Sequence, residues 1–170
     1  MEDEENAPEE LICAEQVFDI SFHPFESVLA AGLIDGAVEI FRYGIETGAN
    51  QQVMHCNHHE GSCRGVLFSE DGQRIFTIGS DKSLQGLDGS GVRGLFFPNA
   101  HDEPINKLCH LTENVLVTGD DGGTVKVWDI RTQAGEVMSW SLHEDFVSGF
   151  CFVPEKNTLL SVGGDARLCG

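Results

Sequence analysis

The sequence predicts an all-β fold made of β-propeller blades, an incomplete set of three blades and part of a fourth, and three observations predict it. Three histidines, His59, His101 and His143, stand 42 residues apart, and each opens a similar pattern of small or apolar residues. About twenty residues further on, each is followed by short β-type runs around a Gly/Asp turn: "IFTIGSDKSLQGLD", "VLVTGDDGGTVKVWD" and "LLSVGGDARLCG". No stretch of any length carries the apolar period of an amphipathic helix. A repeat of about 40–45 residues built from such runs is the spacing of four-stranded sheets stacked around a channel.

The segments can be taken in chain order. Residues 1–15 contain Glu2, Asp3, Glu4, Glu5, Glu9, Glu10 and Glu15 and no Lys or Arg. Such a segment buries too little apolar surface to offset its chain entropy, so a disordered acidic tail is expected over 1–15. The partial propeller is expected over 16–170, with repeats at about 17–43, 59–98, 101–142 and 143–170. The first repeat pairs "VFDISFHP" with "VLAAGLIDGAVEIF" and has Cys13 where a histidine is expected. In the second, third and fourth repeats the positions four, seven and nine after the histidine are Cys63, Val66, Phe68; Ile105, Leu108, His110; and Val147, Phe150, Phe152. Only His110 breaks the apolar rule.

The third repeat reads most fully, as a meander of "INKLCHL", "VLVTG", a "DDGG" turn, "TVKVWDI" and "EVMSWSL". Val, Thr, Ile and Trp favour a pleated, half-buried surface. Gly32, Gly79, Gly119 and Gly163 serve as the four turn anchors. The fourth repeat stops at "GGDARLCG", one residue short of its Trp-Asp position by the spacing of the second. A propeller removes its sheet edges by closing a ring, so the sequence reads as the N-terminal part of a longer protein or a truncated gene product.

Several motifs invite other readings. "HCNHHEGSC" brings Cys56, His59 and Cys63 together as candidate metal ligands. His59 and Cys63 are explained by repeat register, which leaves His55, Cys56 and His58 without one, and a structural zinc needs four converging ligands. Cys109 and Cys151 share one register on the inner strand, where a buried thiol acts as a small hydrophobe. "GSGVRG" at 89–94 matches a dinucleotide-binding pattern, but Pro98 argues against the helix that pattern requires, and a hairpin is expected. Adjacent Asp120 and Asp121 are read as turn residues rather than a metal site. No catalytic motif is present, so the chain is expected to be no enzyme and to need no cofactor or metal.

Net charge is −18, from 28 acidic and 10 basic residues. Phosphate repels such a chain, so direct nucleic-acid binding is not expected and a basic protein partner is. The acidic start lacks the apolar core of a signal peptide, and no apolar run approaches membrane-spanning length. An intracellular soluble protein with reduced thiols is expected.

The "H…GDDGGTVKVWD" block resembles the WD40 repeat. The resemblance implies a structural blade network of His59, His101, His143, Thr118, Asp35, Asp81, Asp121, Asp165 and Trp128, with Phe41 and Leu87 replacing tryptophan in the first two blades and Gly122 a competitor for the aspartate slot of the third. Three stretches together, "FHPFESVLAAGLIDGAVEIFRY", "HHEGSCRGVLFSEDGQRIFTIGSDKSL" and "AHDEPINKLCHLTENVLVTGDDGGTVKVWDIR", resemble the N-terminal portion of the WD repeat-containing protein 55 family. That resemblance implies a scaffold of the nucleus and nucleolus acting in rRNA production and ribosome biogenesis, with ribosome-assembly factors as partners. "LVTGDDGGTVKVWDIR" also resembles the box of substrate receptors of cullin–RING ubiquitin ligases, which would make Trp128, Asp129 and Arg131 contacts for a ligase adaptor. A generic WD40 scaffold is the third reading.

Overall fold

The computed structural model describes residues 10–44, 50–132 and 135–170. Four antiparallel sheets follow one another along the chain. The first contains β1 (Val17–Phe22), β2 (Val28–Leu33), β3 (Ala37–Arg42) and β4 (Gln51–Asn57). The second contains β5 (Cys63–Phe68), β6 (Arg74–Gly79), β7 (Leu84–Asp88) and β8 (Arg93–Phe97). The third contains β9 (Ile105–Thr112), β10 (Val115–Asp120), β11 (Thr124–Asp129) and β12 (Glu136–Ser141). The fourth has three strands, β13 (Val147–Val153), β14 (Thr158–Gly163) and the short β15 (Leu168–Cys169), with a 3-10 turn at Pro154–Lys156. In every sheet sequential strands are neighbours, the meander that short turns impose.

The expected repeat 17–43 omits β4, which completes the first sheet and carries His55 and Cys56. Most of the predicted acidic tail, residues 1–9, lies outside the described residues. Its end is held: Cys13 packs on Ala31, Leu33 and Ala37, and the Ala14 N–H donates to Glu39 Oε2 at 3.3 Å.

The core lies between sheets, not within them. Val28, Ala30, Val38 and Ile40 of the first sheet pack on Cys63, Val66, Phe68 and Ile75 of the second. Phe76, Ile78 and Leu84 pack on Ile105, Leu116 and Trp128 of the third. Val117, Val125 and Val127 pack on Val147, Phe150 and Leu159 of the fourth. Alternating side chains thus serve opposite neighbours, and each fully buried Val, Leu, Ile or Phe contributes about 1.5–3 kcal/mol. The first strands β1, β5, β9 and β13 lie side by side along the inner edge.

One turn recurs between the second and third strands of every sheet. One residue of it, at the same register in each sheet, has a positive φ: 91° at Gly36, 66° at Lys82, 84° at Gly123 and 60° at Ala166. At Gly123 a Cβ would also lie 2.2 Å from the His143 carbonyl oxygen, so only glycine fits. That close approach places the next sheet. The Gly36 carbonyl accepts the His59 N–H at 3.3 Å, and the Gly123 carbonyl accepts the His143 N–H at 3.1 Å.

Candidate interaction face

The three blade histidines arrive buried at these junctions, each with both ring nitrogens engaged. In the third sheet the Trp128 Nε1–H donates to Thr118 Oγ1 at 2.7 Å, and the Thr118 hydroxyl donates to His101 Nε2 at 2.6 Å. His101 Nδ1–H then donates to Asp120 Oδ2 at 2.8 Å. One direction of donation can run through the whole chain, from the indole to the carboxylate. His59 is held the same way by Thr77 at 2.9 Å and by Asp81 at 3.0 Å. His143 is held by Ser161 at 2.9 Å and by Asp165 at 3.0 Å.

Two of the expected network residues, Asp121 and Asp35, need correction. Asp121 is not the histidine's partner; Asp120 is. Counting from the strand hydroxyl shows why. Asp81 lies four residues after Thr77 and Asp165 four after Ser161, but Gly122 holds that place after Thr118. The glycine and the carboxylate have exchanged positions across the turn. A Cβ on Gly79 would fall 2.5 Å from His59 Nδ1 and 2.7 Å from Asp81 Oδ1, so the carboxylate occupies space that glycine leaves. In the third sheet Asp120 fills that space from the strand itself. Among the described residues Asp35 joins no histidine, because Cys13 and Ala31 stand at the histidine and hydroxyl positions; its carboxylate accepts the Ala37 N–H at 3.0 Å. Trp128 is 3% exposed and cannot touch an adaptor. Of the proposed box, Arg131 is on the surface, forked onto Asp129 at 2.9 and 2.6 Å. That fork lowers the Asp129 carboxyl to about 2.

Thr77, Ser161, Ser83 and Asp120 are network members that the glycine-anchored reading missed; the four-residue hydroxyl-to-aspartate interval was the signal for Thr77 and Ser161, and it leads to Gly122 instead of Asp120 in the third sheet. For Asp81, burial opposes the ionised form, but donation from His59 and Ser83 outweighs it and holds the carboxyl at about 2.

The candidate metal ligands do not converge. Both nitrogens of His59 are engaged. Cys63 is buried between the first two sheets, which pushes its thiol up to about 12, so it stays protonated. His55 donates to the buried Glu39 at 2.9 Å, and the Cys56 thiol donates to the Val38 carbonyl at 3.6 Å. Among the described residues no group of three or more His, Cys, Asp or Glu could hold a metal ion. "GSGVRG" forms the β7–β8 turn, with the Ser90 and Val92 N–H groups donating to Asp88 Oδ1.

The histidine junctions define one end of the sheets, and two sets of side chains gather there. The first set comes from β-bulges. Strand pairing skips Phe18, Arg64, Asn106 and Ser148, one residue near the start of each inner strand. A bulge re-aims its side chain, and these four residues line a recess of about 510 Å³ with Lys107, Asp121 and Phe146. Arg64 donates to Asn106 Oδ1 and Asp121 Oδ2, both at 2.8 Å, so Asp121 clamps the second sheet to the third. The second set follows the histidines directly: Glu60, Asp102 with Glu103, and Glu144 with Asp145, all exposed. The Glu60 and Glu144 N–H groups donate to Asp81 and Asp165, so each loop is pinned by the network beneath it.

The comparisons with known proteins agree with this architecture. The family model for the WD domain, G-beta repeat, matches residues 50–85 and 93–129. Each match starts on the outer strand of one sheet and ends on the third strand of the next, so every sequence repeat ties two sheets together. WD repeat-containing protein 55 of Rattus norvegicus is 38% identical over 96% of this chain and 42% of its own length. The Danio rerio protein of that name is 41% identical over 93% of this chain and 41% of its own length. The chain therefore spans less than half the length of these relatives. A solved structure, the computationally designed Ika4 protein, superposes with a TM-score of 0.76 at 21% identity, covering 92% of this chain and 91% of that one.

Proposed function

We propose that the chain, whose residues 50–85 and 93–129 match the WD domain, G-beta repeat, is a non-enzymatic protein-interaction scaffold whose acidic loop end grips a basic partner. WD40 repeats generally serve protein–protein contact, and they present rigid loops on a stacked core. The observation that carries the reading is the acidic residue or pair placed directly after every blade histidine, held by the network in the second and fourth sheets. A fixed row of carboxylates recognises Lys and Arg with little ordering cost.

The partner class proposed is ribosome-assembly proteins, in the nucleus and nucleolus, with a role in rRNA production. Proteins that live on RNA carry basic surfaces, which this end of the molecule complements. The similarity to WD repeat-containing protein 55 supports the same assignment. Among the described residues, no helix is long and apolar enough to cross a membrane. The test is capture of ribosome-assembly proteins from nuclear extract by the tagged chain. Capture that falls at least tenfold in the triple variant Glu60→Lys, Glu103→Lys, Glu144→Lys supports the reading. Capture that ignores the charge reversal overturns it.

A second reading, a substrate receptor for a cullin–RING ubiquitin ligase, is favoured by the exposed, pre-formed Arg131–Asp129 fork. Arg131→Ala should then abolish binding to a purified adaptor while leaving the melting temperature in place. Adaptor binding that survives the substitution removes this reading.

A further inference from the structure

The three sheets that have an outer strand can be laid over one another through their strand pairs. Opposite the strand hydroxyl position, the third strand carries Glu39 in the first sheet, Gln85 in the second and Lys126 in the third. The outer strand, just before its bulge, carries Gln52, Arg93 and Glu136 in the same order. In the first sheet a carboxylate joins the two positions, the Gln52 amide donating to Glu39 Oε1 at 2.7 Å. In the third a carboxylate joins them again, with Lys126 Nζ donating to Glu136 Oε2 at 2.8 Å. The second sheet has an acid at neither position. Arg93 Nη1 donates to Gln85 Oε1 at a long 3.4 Å, and among the described residues Arg93 makes no ion pair, in a chain with 28 acidic residues.

The guanidinium is nevertheless held in place. It lies over the Phe96 ring, 4.3 Å from the centroid, and Gln85 is fixed in turn by donating to the His58 carbonyl at 2.9 Å. Stacking covers one face of the guanidinium and leaves its in-plane N–H fork, which matches a planar carboxylate. A cleft of about 330 Å³ opens beside it, lined by His58, Ser83, Phe96 and Asn99. His58, which the repeat register left unexplained, stands where the third and fourth sheets carry Ala100 and Leu142. The cleft is built from residues 58–99, between the first and third sheets and away from the outer flanks of the chain. We infer that it binds a carboxylate, that of a glutamate or aspartate side chain or of a small free acid. The ligand class follows from the neighbouring sheets, each of which fills the corresponding place with a carboxylate of its own. Glu60 and Asp81 also line the cleft, and they oppose a dianion such as phosphate more than a single carboxylate. The inference is independent of the proposed function, since it rests on a cation and not on the acidic loops.

The experiment is an NMR titration of the isotope-labelled 170-residue chain, followed at the Arg93 side-chain N–H. The probes are sodium acetate, N-acetylglutamate methylamide and the isosteric N-acetylglutamine methylamide, at constant ionic strength. Both carboxylates should shift the Arg93 resonance and saturate, and the glutamine compound should not. Capped glutamate binding at least tenfold tighter than acetate assigns the site to a side chain of a polypeptide, and equal binding assigns it to the carboxylate alone. Arg93→Gln, at an exposed position, should keep the circular dichroism spectrum and weaken binding at least tenfold, read at the Phe96 backbone N–H. The double variant Gln85→Lys, Arg93→Glu builds the pair of the third sheet into the second and should lose binding as well. Glutamine binding equal to glutamate binding, or binding that survives Arg93→Gln, overturns the inference. So does an Arg93 resonance that no carboxylate moves.

Discussion

The first and third sheets solve the same packing problem with opposite chemistry. At the junction of the third, Trp128, Thr118, His101 and Asp120 form a buried polar relay. At the junction of the first, Phe41, Ala31 and Cys13 take the tryptophan, hydroxyl and histidine positions, and Cys13 packs on Ala31, Leu33 and Ala37. The strand order and the second-to-third strand turn are nevertheless the same. The relay is therefore not what makes a blade. The sheets are made by strand patterning and by the apolar contact between neighbours, and the relay adds a fixed position for the loop above it. Each histidine is followed by an acidic loop, and in the second and fourth sheets the network aspartate pins it.

The largest break between the two sheets should come from the histidine position. His101→Ala removes the donor to Asp120, which is 2% exposed, and opens a cavity against Trp128. Removing one partner of a buried pair costs about 3–5 kcal/mol. Cys13→Ala at the corresponding place in the first sheet should cost about 1 kcal/mol, because no polar group is orphaned. Urea unfolding of both variants reads the contrast, and equal losses would show that the relay contributes no more than packing.

The next prediction concerns the exchange between Asp120 and Gly122. Asp120→Gly alone leaves His101 Nδ1–H without its acceptor, at a cost of about 1.5–3 kcal/mol. Adding Gly122→Asp recreates the arrangement of the second sheet and should recover most of that loss. The new side chain meets only the flexible Glu103, 3.3 Å from the ideal Cβ. A double variant no more stable than the single one would break the equivalence of the two turns.

That exchange also marks the limit of what the sequence displays. The histidine period and the strand runs were legible because they repeat, and they led to the right fold class. Asp121 was read as the third network aspartate because glycines were used as anchors, yet Gly119 pairs with Val125 while Gly79 lies one place further along its own strand. A glycine marks where space is needed, and the third sheet needs it elsewhere. The recess at the channel mouth was not legible at all. Phe18, Arg64, Asn106 and Ser148 share no residue type, and what unites them is a bulge, which is a property of strand pairing. The clamp of Arg64 on Asp121 joins residues 57 apart, a separation no local pattern reveals.

Acid sharpens the comparison further. The folded chain holds Asp81 at about 2, below the 3.8 of a free aspartate, so the ionised form is favoured by folding. The resulting stabilisation is fully present above the unfolded value and is lost as pH falls through about 2. After screening at a partly open site it amounts to about 1 kcal/mol. Unfolding midpoints for the wild-type chain and Asp81→Asn should differ at pH 5 and converge by pH 2.

The smallest effect tests the turn common to all four sheets. Ala166 sits at a φ of 60°, the slot that Gly36 and Gly123 fill with glycine. A left-handed conformation costs a residue with a Cβ about 1–2 kcal/mol, and glycine returns part of that through its looser unfolded chain. Ala166→Gly should therefore raise stability by about 0.5–1 kcal/mol. The reverse change, Gly123→Ala, forces a Cβ onto the His143 carbonyl and must move the fourth sheet. The two substitutions occupy one backbone position, so opposite signs in thermal unfolding would show that this turn sets how each sheet receives the next. A loss in Ala166→Gly would mean that the fourth sheet's turn is held by its neighbours more firmly than by its own dihedrals.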